Sequence, residues 1–201
     1  MKQKSQKANE KLRRMQEFLC DFRNLYRKHF TKHQETCYTK CVIEPHKKEN
    51  VKMESILNIS KYVVQRYTEL GKPTTNLKLQ KLLYYIQGYS YKSFGWPAFD
   101  AKICNWTYGP VVPDAYFEYN QNGGREIVEG ASNVIESLIE DSSLRRLIDR
   151  IIDKCQDLKA SELVSKTHQE DPWKHSNLWD IITDGAIQNY FVNNDPLKLV
   201  S

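Results

Sequence analysis

The stretch NWTYGPVVPDAYFEYNQNGG, residues 105–124, restricts the chain more than any other. A Gly-Pro, a paired valine and a second proline between aromatic runs leave little backbone freedom, so the segment must serve a definite geometry. The preceding AKICNWTY alternates, with Cys104, Trp106 and Tyr108 on one face and Ile103, Asn105 and Thr107 on the other. That period predicts a short strand whose aromatic face points into a core. Gly109-Pro110 turns the chain, and Pro113 suits the first turn of a helix running to about residue 121. Asn122-Gly123-Gly124 ends that helix, and REIVEG after it reads as a second short strand pairing with the first.

The flanking segments read as helices. Ile56, Ile59, Val63, Tyr67 and Leu70 keep helical spacing up to Gly71 and Pro73. Thr75 or Asn76 is placed to cap LKLQKLLYYIQGYSYKSFG, which should end by Gly95. Tyr84, Tyr85, Tyr89 and Tyr91 surround that helix, so it is expected to be central. Further on, Leu144, Leu147, Ile148, Ile151, Ile152 and Cys155 line one helix, with Ser142 or Ser143 as its cap. A short helix is expected to open with a cap at Ser161 and to stop before Pro172, and a last one starts from Thr183. Residues 195–201 are expected to fray. The fold class is therefore mainly α with a small β element.

Charge divides the chain. Residues 1–52 hold 14 Lys/Arg against 6 Asp/Glu, a balance of +8, whereas 53–201 hold 16 against 19, a balance of −3. The composition changes at Met53, which predicts a separable extension at 1–52, a domain at 53–194, and a usable start at Met53. Within the extension Leu12, Met15, Phe18, Leu19, Phe22 and Leu25 share one face of an amphipathic helix over about 6–32. A lone helix of this kind is marginal in water and needs a partner for its apolar stripe. Its basic face invites a nucleic-acid reading, but acids interrupt the charge and no recognition-helix or zinc-finger spacing follows, so a protein-binding or solvated face is the better reading. No apolar run reaches membrane-spanning length, and the basic N-terminus lacks the apolar core of a signal peptide. A cytoplasmic location follows as an expectation, with the five cysteines as reduced thiols.

Two side-chain sets invite chemistry. His29, His33, Cys37 and Cys41 stand four apart, but on one helix the outer pair lies about 18 Å apart at 1.5 Å per residue, too far for one zinc. Neither Gly nor Pro turns the chain between them, so the spacing is read as accidental and no cofactor is expected. Cys104 and His168, with Asp171 as the acid, have the composition of a nucleophile–base set, yet no glycine-rich turn supplies an oxyanion hole. Cys104 on an aromatic strand face is more simply a buried structural cysteine.

Three motifs occur in order: Leu79, Lys81, Leu82, Leu83, Tyr84 and Tyr85; then Trp106, Gly109, Pro110, Val111, Pro113 and Tyr116; then Thr167, His168, Pro172 and Trp173. Together they resemble the Panacea domain, the SocA-like antitoxin domain, over about residues 55–192. The resemblance implies a compact, mostly helical domain with a small β element, and motif residues that are mainly structural, with toxin contact left open. It implies an antitoxin, not an enzyme, encoded beside a protein toxin that it neutralises by direct contact. Extra segments in such proteins help to select the toxin, a role open to residues 1–52. The competing readings are a proteolytic adaptor that delivers the toxin to a protease and a DNA-binding regulator using the basic extension.

Overall fold

The computed structural model describes residues 53–128 and 135–199. The expected N-terminal helix and the set His29, His33, Cys37 and Cys41 lie outside these residues.

Helix α1 (Ile56–Glu69) buries Ile59, Tyr62, Val63, Val64 and Tyr67; of the predicted stripe, Ile59, Val63 and Tyr67 are buried, while Ile56 is half-buried and Leu70, just past the helix end, is exposed. Gly71, at φ +65°, carries the chain out of it, a conformation that costs a side-chain-bearing residue more. Helix α2 (Asn76–Phe94) starts where the Thr75 hydroxyl accepts from the Lys78 N–H, and stops at Gly95 with φ +79°. Almost every residue from Asn76 to Tyr91 is buried, so α2 is a core helix covered on all sides. Each fully buried Leu, Ile or aromatic side chain on it adds about 1.5–3 kcal/mol of hydrophobic stabilisation before entropy is counted.

The sheet has three antiparallel strands in the order β2-β1-β3. Strand β1 (Ile103–Trp106) and strand β2 (Gly109–Val111) form a hairpin, with Cys104 opposite Val111 and Trp106 opposite Gly109. Strand β3 (Ile181–Ile182) lies on the other side of β1, with Ile103 opposite Ile182 and Cys104 opposite Ile181. The expected pairing of REIVEG with β1 is thus wrong. Glu126 instead bridges Thr75, and the Ile127 N–H donates to the Thr74 carbonyl at 2.8 Å. The alternation also ends sooner than predicted: Tyr108 sits in the hairpin turn and is 67% exposed, while Asn105, expected on the other face, is buried.

Helix α3 (Pro113–Tyr119) begins at Pro113 as expected and runs into a 3-10 turn, Asn120–Asn122. Helix α4 (Ser142–Cys155) is capped by Asp141, not Ser142 or Ser143, because its carboxylate accepts from the N–H groups of Ser143 and Leu144. A carboxylate there also meets the positive end of the helix dipole. Helix α5 (Ala160–Thr167) starts one residue before Ser161; the Glu162 carboxylate turns back to accept from the Lys159 N–H at 2.6 Å. Helix α6 (Asp171–Lys174) holds Pro172 in its first turn, and helix α7 (Asp184–Asn193) is capped by the Thr183 hydroxyl.

Residues 195–199, expected to fray, are fastened to α2. Leu197 is buried and its N–H donates to the Tyr89 hydroxyl at 2.8 Å, while that hydroxyl donates to Asp195. Buried residues form two clusters. The main one surrounds α2, and a smaller one joins Cys104, Trp106 and Val111 to Tyr116, Phe117, Trp179 and Ile181. Among the described residues no helix is long and apolar enough to cross a membrane.

Candidate functional site

The three motifs, separated in sequence, meet at one place in the fold. Lys81 from the middle of α2 is fully buried, and its ammonium donates to the Pro110 carbonyl at 2.8 Å. Gly109 lies directly above it at φ +98°. A Cβ there would fall 2.8 Å from the Thr167 hydroxyl oxygen and 2.9 Å from Lys81 Cε. Gly109 is therefore required twice over, by conformation and by space. The first, second and third motifs thus share a single contact.

Around this point the third motif closes on the hairpin. The His168 ring stacks on Trp173, with centroids 3.9 Å apart and planes 13° from parallel. The Trp173 indole N–H donates to the Trp106 carbonyl at 3.1 Å. Asn105 replies from the strand, its side-chain amide donating to the carbonyls of Trp173 at 2.9 Å and Ser176 at 2.8 Å. On the α2 side the Tyr85 hydroxyl donates to Glu170 at 2.8 Å. The Tyr84 hydroxyl faces the same carboxyl without closing a bond of ordinary geometry.

Burial governs the charge state of the cluster. It pushes the Lys81 ammonium down to about 7 and the Glu170 carboxyl up to about 7, against the opposing pull of the Tyr85 hydrogen bond. It also lowers His168, with the nearby Lys81 charge acting in the same direction. These are desolvation effects on groups with few partners.

The remaining motif residues are packing elements. Leu79, Leu82, Leu83, Tyr84 and Tyr85 are fully buried in the main core. Trp106 and Val111 belong to the smaller cluster, where Tyr116 meets Trp106 edge-to-face with centroids 4.9 Å apart. Trp106 and Tyr108 therefore do not both enter the helical core as expected: the first packs in a satellite cluster and the second faces solvent. Pro113 and Pro172 are buried at helix starts, and Trp173 is half-buried against the main core.

The proposed nucleophile set fares differently. Cys104 is fully buried and disulfide-bonded, which corrects the expectation of five reduced thiols and leaves no thiolate for attack. Asp171 is mostly exposed and pairs with His175 at 3.9 Å, while His168 is committed to its stack on Trp173. Among the described residues no group of three or more His, Cys, Asp or Glu is arranged to hold a metal.

Sequence reasoning missed the buried carboxamides. Gln80 accepts from the Val112 N–H at 2.9 Å and donates to Asn76, and Asn76 donates to the Tyr116 carbonyl. Gln87 accepts from the N–H groups of Ala98 and Phe99. The signal was present, since polar residues within a run of apolar helix positions must find partners inside.

Residues 79–174 match the family model for the Antitoxin SocA-like, Panacea domain, a span running from the first residue of the first motif to just past the last of the third. Over 139 residues the chain is 27% identical to Antitoxin SocA of Caulobacter vibrioides (strain NA1000 / CB15N), an alignment covering 65% of this chain and 71% of that protein. No solved structure gives a significant match. The matched span is the one in which the three motifs lock together around Lys81, so residues 79–174 are identified with the SocA-like Panacea domain.

Proposed function

We propose that this protein is the antitoxin of a toxin–antitoxin pair, acting in the cytoplasm by binding a protein toxin encoded beside it, without turnover. The observation that carries this reading is the match of residues 79–174 to the antitoxin family model, supported by the relative named Antitoxin SocA. The geometry agrees with it. Lys81 and Glu170, ionisable groups at the place where the motifs meet, are buried and serve as braces between elements, so they present no reacting group to a substrate. Recognition then falls to the surface that these braces hold in place. The basic extension 1–52, with its apolar stripe from Leu12 to Leu25, supplies a second contact that selects the toxin.

The test is co-expression with the product of the adjacent gene. Rescue of growth, together with a stoichiometric complex on size exclusion, is the expected result. Rescue without a complex would overturn neutralisation by direct binding. The toxin's half-life with and without this protein separates masking, which leaves it unchanged or longer, from delivery to a protease, which shortens it.

A further inference from the structure

Cys104 forms a disulfide, while Cys155, the other cysteine among the described residues, is a free thiol. The remaining cysteines of the sequence are Cys20, Cys37 and Cys41, so within one molecule the partner of Cys104 is one of these three. Cys104 lies in a compact unit that runs from Cys37 to Ser201. That unit contains Cys37 and Cys41 and not Cys20.

Cys104 sits on the face of the sheet turned away from the main core. Ile103 and Ile182 belong to the core around α2, whereas Cys104, Trp106 and Val111 form the smaller cluster with Tyr116, Phe117, Trp179 and Ile181. Alternation along β1 puts Ile103 and Cys104 on opposite faces. Tyr116, Phe117, Trp179 and Ile181 are half-buried, while Cys104 among them is fully buried.

The chain enters the domain close to this strand. Glu54 bridges Phe99, and its N–H donates to the Ala98 carbonyl at 3.1 Å. Cys104 follows Phe99 by five residues, a span of at most about 18 Å. Cys41 and Cys37 precede Glu54 by 13 and 17 residues, and 13 residues alone reach about 40 Å when extended. Either thiol can therefore meet Cys104.

We propose that Cys104 is bonded to Cys37 or Cys41, forming a redox-sensitive tether that lays the segment 37–52 over the outer face of the sheet. Tyr38, Val42 and Ile43 beside those cysteines give the segment apolar groups to set against Trp106, Tyr116 and Trp179. Closure consumes a low-molecular-weight disulfide such as oxidised glutathione. One protein thiolate attacks its S–S bond and releases one small thiol; the second protein thiolate then displaces the other from the mixed disulfide. One protein S–S bond forms, one small-molecule S–S bond breaks, and the protons of the two protein thiols leave on the two small thiols. In a reducing cytoplasm such a bond is a sensor rather than a permanent staple. Oxidation fixes the end of the basic extension beside the hairpin, and reduction frees it. The tether is independent of the antitoxin reading, since it needs no toxin.

The experiment takes the full chain, reduced and then equilibrated with oxidised glutathione. Remaining thiols are blocked with N-ethylmaleimide in denaturant, and the chain is digested with trypsin, which separates Cys37 from Cys41 at Lys40. Mass spectrometry of the monomer should find the Cys104 peptide joined to the Cys37 or the Cys41 peptide, and dithiothreitol should part them. A variant combining Cys37→Ser and Cys41→Ser, treated alike, should leave Cys104 unlinked to any other peptide of the chain. Cys104 carrying the maleimide in the oxidised parent, or linked to Cys20, to Cys155 or to a second molecule, overturns the tether. So does a Cys104 link that survives unchanged in the double variant.

Discussion

The Lys81 ammonium and the Pro110 carbonyl are 2.8 Å apart in a part of the protein that water does not reach. One hydrogen bond is a small return for desolvating an ammonium, which is why its proton is held weakly. The long side chain nonetheless fills the space below Gly109. Lys81→Ala should cost about 2–5 kcal/mol, the usual range for emptying a buried aliphatic site. Lys81→Met should keep most of the stability, or exceed it, since an apolar replacement of similar volume removes the desolvation cost. Denaturant unfolding of both variants checks this. Equal losses in the two would assign the stability to the hydrogen bond instead of the volume.

Stability should pass through a low point near neutral pH. Glu170 has its folded value raised from 4.5 to about 7, so between those values the folded state holds the proton more tightly and stability falls as pH rises. Lys81 has its folded value lowered from 10.5 to about 7. Over that upper window the unfolded state binds the proton more tightly, so stability rises with pH. His168, also lowered, opposes Glu170 on the acid side. Glu170→Gln should therefore remove the decline from the acid side, and Lys81→Met the rise toward alkaline pH. Melting temperatures of the three proteins from pH 4.5 to 10 provide the measurement, and parallel curves for parent and variants would contradict the assignment.

Much of the domain was legible from its periodicity and breakers. The stripes of α1, α2 and α4 and the stops at Gly71 and Gly95 were readable because the signals are local. What escaped depended on long-range partners. β3 has only two residues, Ile181 and Ile182, and no period to detect. REIVEG looked like a strand because Ile127 and Val128 are apolar and β-branched, but Ile127 is buried beside Thr74 and Val128 is exposed. Tyr108 continued the alternation on paper, yet a two-residue turn took it out of the strand. The motif residues were found through resemblance, while their meeting at Lys81 was not. Nothing local says that Gly109, Lys81 and Thr167 share one contact.

Gly88 is a second position where size decides. A Cβ there would lie 2.3 Å from two ring carbons of Phe191. The ring is held edge-on by Tyr84, Tyr85 and Tyr89, with centroids 5.2–6.2 Å away, so it has nowhere to go. Gly88→Ala gains about 1 kcal/mol of helix propensity. Overpacking costs about 1–3 kcal/mol or more and should win. A lower midpoint in chemical unfolding is expected; a higher one would show that α7 can shift away from α2.

Trp106 and Tyr108, two residues apart, should respond in opposite ways. Trp106 is 7% exposed and packs against Tyr116, Phe117 and Trp179. Trp106→Ala should cost about 3–5 kcal/mol. Tyr108→Ala, at the exposed turn, should change stability by less than about 0.5 kcal/mol. If Tyr108→Ala weakens toxin binding while leaving the melting temperature unchanged, the hairpin tip is a contact. Trp106→Ala melting with the parent would show that the satellite cluster does not support the domain.

A chain beginning at Met53 should fold as a cooperative unit, and this defines what the extension does. The first contacts after that start are already part of the domain. The Glu54 N–H donates to the Ala98 carbonyl at 3.1 Å, and its carboxylate accepts from the Glu140 N–H at 2.9 Å. Ile59, Val63 and Tyr67 are fully buried. A start at Met53 keeps these contacts, whereas a start at Ile56 removes both Glu54 bonds and should melt lower. The charge break supports the same boundary, since +8 lies before it and −3 after. Thermal unfolding of the Met53 chain should give one sharp transition; aggregation or a broad melt would assign the stripe of Leu12, Met15, Phe18, Leu19, Phe22 and Leu25 to the folding core. With folding secured, co-expression with the adjacent gene's product measures recognition alone. Lost or weakened rescue by the Met53 chain is the expected outcome, and full rescue would remove the extension from toxin recognition and leave that task to the domain.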